Sequence, residues 1–166
     1  MSYVLAAGQS VETLKFTSTT GIGNLNLTGN SIAQTLTGNN GNNILDGKDG
    51  ADILRGYGGS DTFVFSTALG PSNIDHIVDF STTVDTIRLD KAIFTELGLG
   101  ALNPDAFKDI GAAGAVVDSS DRILYDHNTG ALYYDSDGSG SHAAIQFAIL
   151  DNKPAHLTSA DFFVVS

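Results

Sequence analysis

Between residues 29 and 64 the chain repeats itself every nine residues, and that interval excludes most folds. The units read "GNSIAQTLT", "GNNGNNILD", "GKDGADILR" and "GYGGSDTFV", beginning at Gly29, Gly38, Gly47 and Gly56, and a fainter copy, "TGIGNLNLT", starts at Thr20. Nine is too long for a helical period and too regular for unrelated hairpins. Each unit has six turn-forming residues followed by three suited to a short strand. If a unit is half a coil, two units complete a turn of eighteen residues, and the strands stack in parallel at about 4.8 Å. Leu27, Leu36, Leu45, Leu54 and Phe63 keep step from unit to unit. Leu45 is therefore expected directly above Phe63 in the core.

The sixth place of the units holds Leu25, Gln34, Asn43, Asp52 and Asp61 in turn. The fold thus repeats about five times, while the polar chemistry is concentrated in the last three units. Glycine at the first and fourth places lets the backbone adopt the positive φ angles of a tight turn, which can direct carbonyl oxygens to one side. Residues eighteen apart face each other, so Asn43 is expected to oppose Asp61, and Asp52 whatever follows one coil later. Two acidic turns ~5 Å apart repel by roughly 3 kcal/mol per charge pair at an effective dielectric near 20. A hard cation between them turns that cost into coordination. Ca²⁺ takes six to eight oxygen ligands at about 2.4 Å, whereas Mg²⁺ resists losing water and demands a tighter octahedron. Calcium is the expected ion; the competing reading is an asparagine- and glycine-rich solenoid that binds no metal.

These units resemble the RTX nonapeptide repeat, G-G-x-G-x-D-x-U-x, closely over residues 29–64 and loosely over 20–28. The resemblance implies a calcium ion between two turns eighteen residues apart. The earlier turn would supply carbonyls from its second and fourth places, the later one from its first and third, and both the side chain at the sixth. Carried over, one site takes Asn39, Gly41 and Asn43 with Gly56, Gly58 and Asp61. On the opposite edge Lys48, Gly50 and Asp52 form half of a second site, with Asp75 as the expected ligand beyond the repeats. A third would join Asn30, Ile32 and Gln34 to Gly47, Asp49 and Asp52, and its Gln34 makes it the poorest in charge. Two ions are expected.

The implied fold class is all-β: a parallel β-roll with N-terminal strands over 1–65, then a small β-rich C-terminal cap over 66–166. "SNIDHIVDFSTTVDTIRLD" alternates apolar and polar residues and resembles the segment that follows the roll in serralysin-like RTX proteins, with Ile74, Ile77, Val78, Phe80, Ile87 and Leu89 as core candidates. Asp79 reads as a surface strand-turn acid. "KAIFTELGLGAL" suggests a short helix, "RILYDHNTGALYYD" a hairpin around "HNTG", "DSDGSG" a polar turn, and "AAIQFAIL" a further strand. The terminal "LTSADFFVVS" ends in an acid followed by bulky apolar residues, Asp161 to Val165. It resembles the uncleaved signal of type I secretion substrates, placed at about 150–166; an ordinary buried strand is the other reading, and both can hold.

Charge and composition narrow the partners. The 166 residues carry a formal charge of −11, which argues against nucleic acid and anionic membrane surfaces. Cysteine is absent, so neither disulfides nor a thiolate metal site is possible. The start, "MSYVLAAGQSVETLKF", has no basic region followed by a long apolar one, and no apolar run approaches a membrane span. His76, His127, His142 and His156 are scattered and show no zincin spacing, and no G-x-S-x-G elbow occurs. No catalytic constellation is legible, and any catalytic domain is expected outside this chain. The expected role is a secreted, calcium-binding folding and export module with a type I ABC transporter as partner. The alternative is a polysaccharide-binding module like those of alginate epimerases, disfavoured by the absence of Trp and by only Lys48 and Arg55 as basic residues in the roll.

Overall fold

A computed structural model describes residues 2–16 and 18–166. The nine-residue units become strands of three or four residues. Preceded by β1 (Ser2–Val4) and β2 (Thr13–Lys15), they are β3 (Asn26–Thr28), β4 (Thr35–Thr37), β5 (Ile44–Asp46), β6 (Ile53–Arg55) and β7 (Thr62–Phe65). After the repeats come β8 (Asp75–Ile77), β9 (Thr86–Asp90), β10 (Gly100–Ala101), β11 (Phe107–Asp109), β12 (Ile123–Asp126), β13 (Ala131–Tyr134), β14 (Ile145–Leu150) and β15 (Phe162–Val165).

From β1 to β9 successive strands alternate between two facing sheets, and within the repeats each sheet grows by one strand per eighteen residues. One sheet is ordered β1-β3-β5-β7-β9-β15-β10, and the other β11-β12-β13-β14-β8-β6-β4-β2. Every pairing from β1 to β9 is parallel. The expected register is met: Leu45 pairs with Phe63 and Leu36 with Leu54.

A three-residue strand turns only its middle side chain inward. Two columns result. Leu27, Leu45, Phe63, Ile87 and Phe162 line one sheet, and Leu36, Leu54, Ile77 and Leu150 the other. All are buried, and each contributes roughly 1.5–3 kcal/mol by leaving water. The core thickens below the repeats, where Phe94 packs edge-on against Phe147 and Tyr134, and Phe65 against Phe147.

Both sheets run on past residue 65. β8 pairs with β6, β9 with β7, and then β14 and β15 add to β8 and β9 in parallel. β12 and β13 form the expected hairpin. The helix expected in "KAIFTELGLGAL" is absent, and residues 91–97 make separate turns instead. Asp90 accepts from the N–H groups of Ala92, Ile93 and Phe94 through its side chain and carbonyl. A stretch this short, followed by Gly98, does not repay the cost of helix nucleation. Phe94 and Leu97 still reach the core.

Candidate metal centre

The turns between strands fall on the two edges of the roll, and each edge carries a ladder of sixth-place residues. On one edge the backbone N–H of Gln34 donates to Asp52 Oδ1 (2.7 Å), and that of Asp52 to Asp75 Oδ1 (3.0 Å). On the other, Asn43 donates to Asp61 Oδ1 (2.8 Å) and Asp61 to Asp85 Oδ1 (2.9 Å). Each acid therefore ties the coil before it to its own. Asn43 and Asp61 are brought together as expected, as are Asp52 and Asp75.

Two glycine roles separate in the acidic turns. At the fourth place Gly50 and Gly59 have φ of 113° and 103°, which side chains rarely tolerate. The first-place glycines do not need positive φ, contrary to expectation; the second place adopts it, at Lys48 (74°) and Tyr57 (71°). What the first place needs is room. A Cβ on Gly47 would lie 2.2 Å from Asp52 Oδ2, and one on Gly56 2.1 Å from Asp61 Oδ2. The carboxylate folds back over its own turn into the space where a side chain would be.

There the second carboxylate oxygen has no partner. Asp52 Oδ2 and Asp61 Oδ2 are buried without a hydrogen bond, in side chains that are almost wholly enclosed. Burial pushes both carboxyls up to about 7, an effect that their backbone hydrogen bonds oppose and neighbouring acids reinforce. Those neighbours are Asp46 and Asp49 around Asp52, and Asp85 and Asp79 around Asp61. Asp75 is pushed up to about 8, first by burial and then by Asp52 and Asp46, and burial also raises Asp85. Buried anions cost several kcal/mol apiece unless paired. The donor chemistry fits a hard divalent ion: enclosed carboxylate oxygens without donors, in turns rich in main-chain carbonyls. Among the described residues no three His, Cys, Asp or Glu side chains form a metal cluster. An ion here would draw most of its oxygens from the main chain.

The other expected ligands are arranged as follows. Asn39 and Asn43 are buried and bonded to each other, Asn43 Nδ2 donating to Asn39 Oδ1 (3.0 Å). Gly41 is buried beneath the carbonyls of Ile22 and Gly23. The Lys48 ammonium pairs with Asp46 (2.9 Å), and its carbonyl accepts from Thr67 Oγ1 (2.7 Å), leaving a second lone pair. Asp49 is exposed, and Gly58 is half-buried.

One acid escaped sequence reading and another was placed too far out. Asp85 is buried and continues the Asn43–Asp61 ladder, and its Oδ2 also accepts from the N–H of Ser81. Asp79, expected at the surface, is partly covered and accepts from the N–H groups of Gly56 and Tyr57 (both 3.0 Å). The signal for Asp85 was present: an acid two residues before an inward apolar residue recurs as Asp52–Leu54, Asp61–Phe63, Asp75–Ile77 and Asp85–Ile87. A turn longer than nine residues broke the register and hid it.

Residues 28–65 match the family model of the RTX calcium-binding nonapeptide repeat, in four copies. These residues are RTX repeats. The RTX module binds calcium and is not itself catalytic, and the roll that carries it is built of parallel strands. No curated protein matches the chain. Among the described residues no helix is long and apolar enough to cross a membrane.

Proposed function

We propose that this chain is a calcium-triggered folding module that serves the export of a larger secreted protein by a type I route. The observation that carries the reading is the pair of buried, unpartnered oxygens on Asp52 and Asp61. Without a cation those groups oppose folding; with one they become ligands. Calcium would be held on one edge by Asp52, Asp75 and the carbonyls of Lys48 and Gly50. On the other edge it would be held by Asp61, Asn43 and the carbonyls of Asn39, Gly41, Gly56 and Gly58. The Gly47 and Asp49 carbonyls are candidates for the weaker third site. An ion that binds only the folded state stabilises it by RT ln(1 + [L]/Kd). At a Kd of about 10⁻⁴ to 10⁻³ M, millimolar calcium contributes roughly 0.4 to 1.4 kcal/mol per site. Where calcium is scarce the acidic coils stay open for threading; outside the cell they close.

The C-terminus supports the export half of the reading. In β15, Phe162 and Val164 are buried, whereas Phe163 is 47 % exposed. A large apolar residue that the fold leaves outside is consistent with recognition of the segment before folding. Circular dichroism through a calcium titration, then chelation, tests the folding claim; a spectrum unchanged by chelator refutes it. Deleting residues 161–166 and measuring export tests the transport claim separately, since secretion at the parental level would rule it out.

A further inference from the structure

The turns of the roll are closed in two different ways. In turn 29–34, Gln34 Oε1 accepts from the N–H of Asn30 (3.0 Å), while its Nε2 donates to the Val11 carbonyl (2.9 Å) and to Asn30 Oδ1 (3.1 Å). Asn30 Nδ2 in turn donates to the carbonyls of Ala6 and Gln9. In turn 38–43, Asn43 Oδ1 accepts from the N–H of Asn39 (2.8 Å), and Asn39 Nδ2 donates to the Gly23 carbonyl (3.2 Å). Asn39 Oδ1 receives both Asn43 Nδ2 and the N–H of Gly41. All four amides are buried.

Turns 47–52 and 56–61 have no such groups. Their sixth place is a carboxylate, which accepts but cannot donate, and its second oxygen is the unpartnered one. The backbone differs as well. The two acidic turns carry positive φ at the second and fourth places, and neither amide turn has a residue with positive φ. An amide side chain brings its own N–H donors to the oxygens that surround it; a carboxylate in the same place leaves oxygen facing oxygen.

We infer that buried side-chain amides stand in for the ion in the first two turns, so that these close without calcium and the ion requirement begins at Gly47. This rests on the calcium reading of the roll and divides it. Asn30, Gln34, Asn39 and Asn43 make a metal-independent starter, and calcium adds the coils of Asp52 and Asp61 to it. Stacked coils gain stability mainly from their nearest neighbours, so a pre-closed coil can template the next. Gln34 also leaves the third candidate site short of a carboxylate, since it is a neutral amide whose Nε2 is spent on the Val11 carbonyl and on Asn30 Oδ1.

Hydrogen exchange on the full chain, in EGTA and in millimolar calcium, separates the possibilities. In EGTA the N–H groups of Asn30, Asn39 and Gly41 are expected to exchange at least about tenfold more slowly than those of Asp52, Gly56 and Asp61. Calcium should slow the second set. If both sets exchange equally fast in EGTA and both slow with calcium, the inference is overturned while the calcium reading stands. If both are slow in EGTA and calcium changes neither, the calcium reading itself fails. The variant Gln34→Asp removes the donors and adds an acid. It should lose protection at Asn30 in EGTA, regain it in calcium, and bind one more calcium per chain by equilibrium dialysis. A Gln34→Asp chain that exchanges like the parent in EGTA, or stays unfolded in calcium, counts against the inference.

Discussion

Stripped of calcium, the roll should be more stable in mild acid than at neutral pH, the reverse of a protein held by ion pairs. Asp52 and Asp61 titrate near 7 in the fold and Asp75 near 8, against 3.8 for an open-chain carboxyl. Between those limits the folded state holds protons that the unfolded state has lost, so stability falls as pH rises. The stabilisation is complete below about pH 4 and is lost as pH climbs through 7 to 8. A difference of about three pH units is worth at most roughly 4 kcal/mol for one carboxyl, and because Asp52 raises Asp75 the three do not simply add. Even one such carboxyl is a sizeable part of the 5–15 kcal/mol that holds a typical domain together. The Lys48 ammonium, in the same turn as Asp52, is paired with Asp46. Asp118, Asp126 and Asp137 are held low by hydrogen bonds at the surface and act below this window. The assay is denaturant unfolding in EGTA at pH 5, 6, 7 and 8, followed by circular dichroism. The midpoint should fall steadily, and saturating calcium should abolish the fall. A metal-free midpoint that is flat or rises with pH would refute the reasoning.

Other perturbations isolate single parts of the arrangement. Asp85→Asn keeps the shape of a side chain whose two oxygens each accept from a backbone N–H but leaves one donor unserved. It should cost about 1–3 kcal/mol in calcium-loaded unfolding experiments. Gly59→Ala places a Cβ 2.7 Å from the Gly41 carbonyl at a φ of 103°. A loss of at least roughly 2 kcal/mol is expected, with weaker calcium binding by calorimetry. Phe163→Ser, at a half-exposed position, should cost no more than about 1.5 kcal/mol of folding stability while lowering export. Normal export of that variant would separate the terminal strand from transport.

The repeats were legible because one short strand, one inward residue and one turn recur without interruption. Leu27 through Phe63 could be placed by counting alone. Legibility declined where turns changed length. Asp75 lies 23 residues after Asp52 and Asp85 lies 24 after Asp61, instead of eighteen. The first was still found because its turn follows the repeats directly; the second required knowing that β8 and β9 prolong the two sheets. The apolar periodicity around Phe94 suggested a helix, since a residue reaching the core from a turn leaves a similar pattern. Positive φ at Lys48 and Tyr57 could not be read from residue type, because neither is a residue that favours it.

Anomalous diffraction from crystals grown in millimolar calcium bears most directly on the central claim, that a divalent ion joins successive coils at their carboxylate edges. Calcium density is predicted on both edges, one ion in contact with the Asp52 carboxylate and one with that of Asp61. Edges that hold only water, with both carboxylates unchanged, would contradict it.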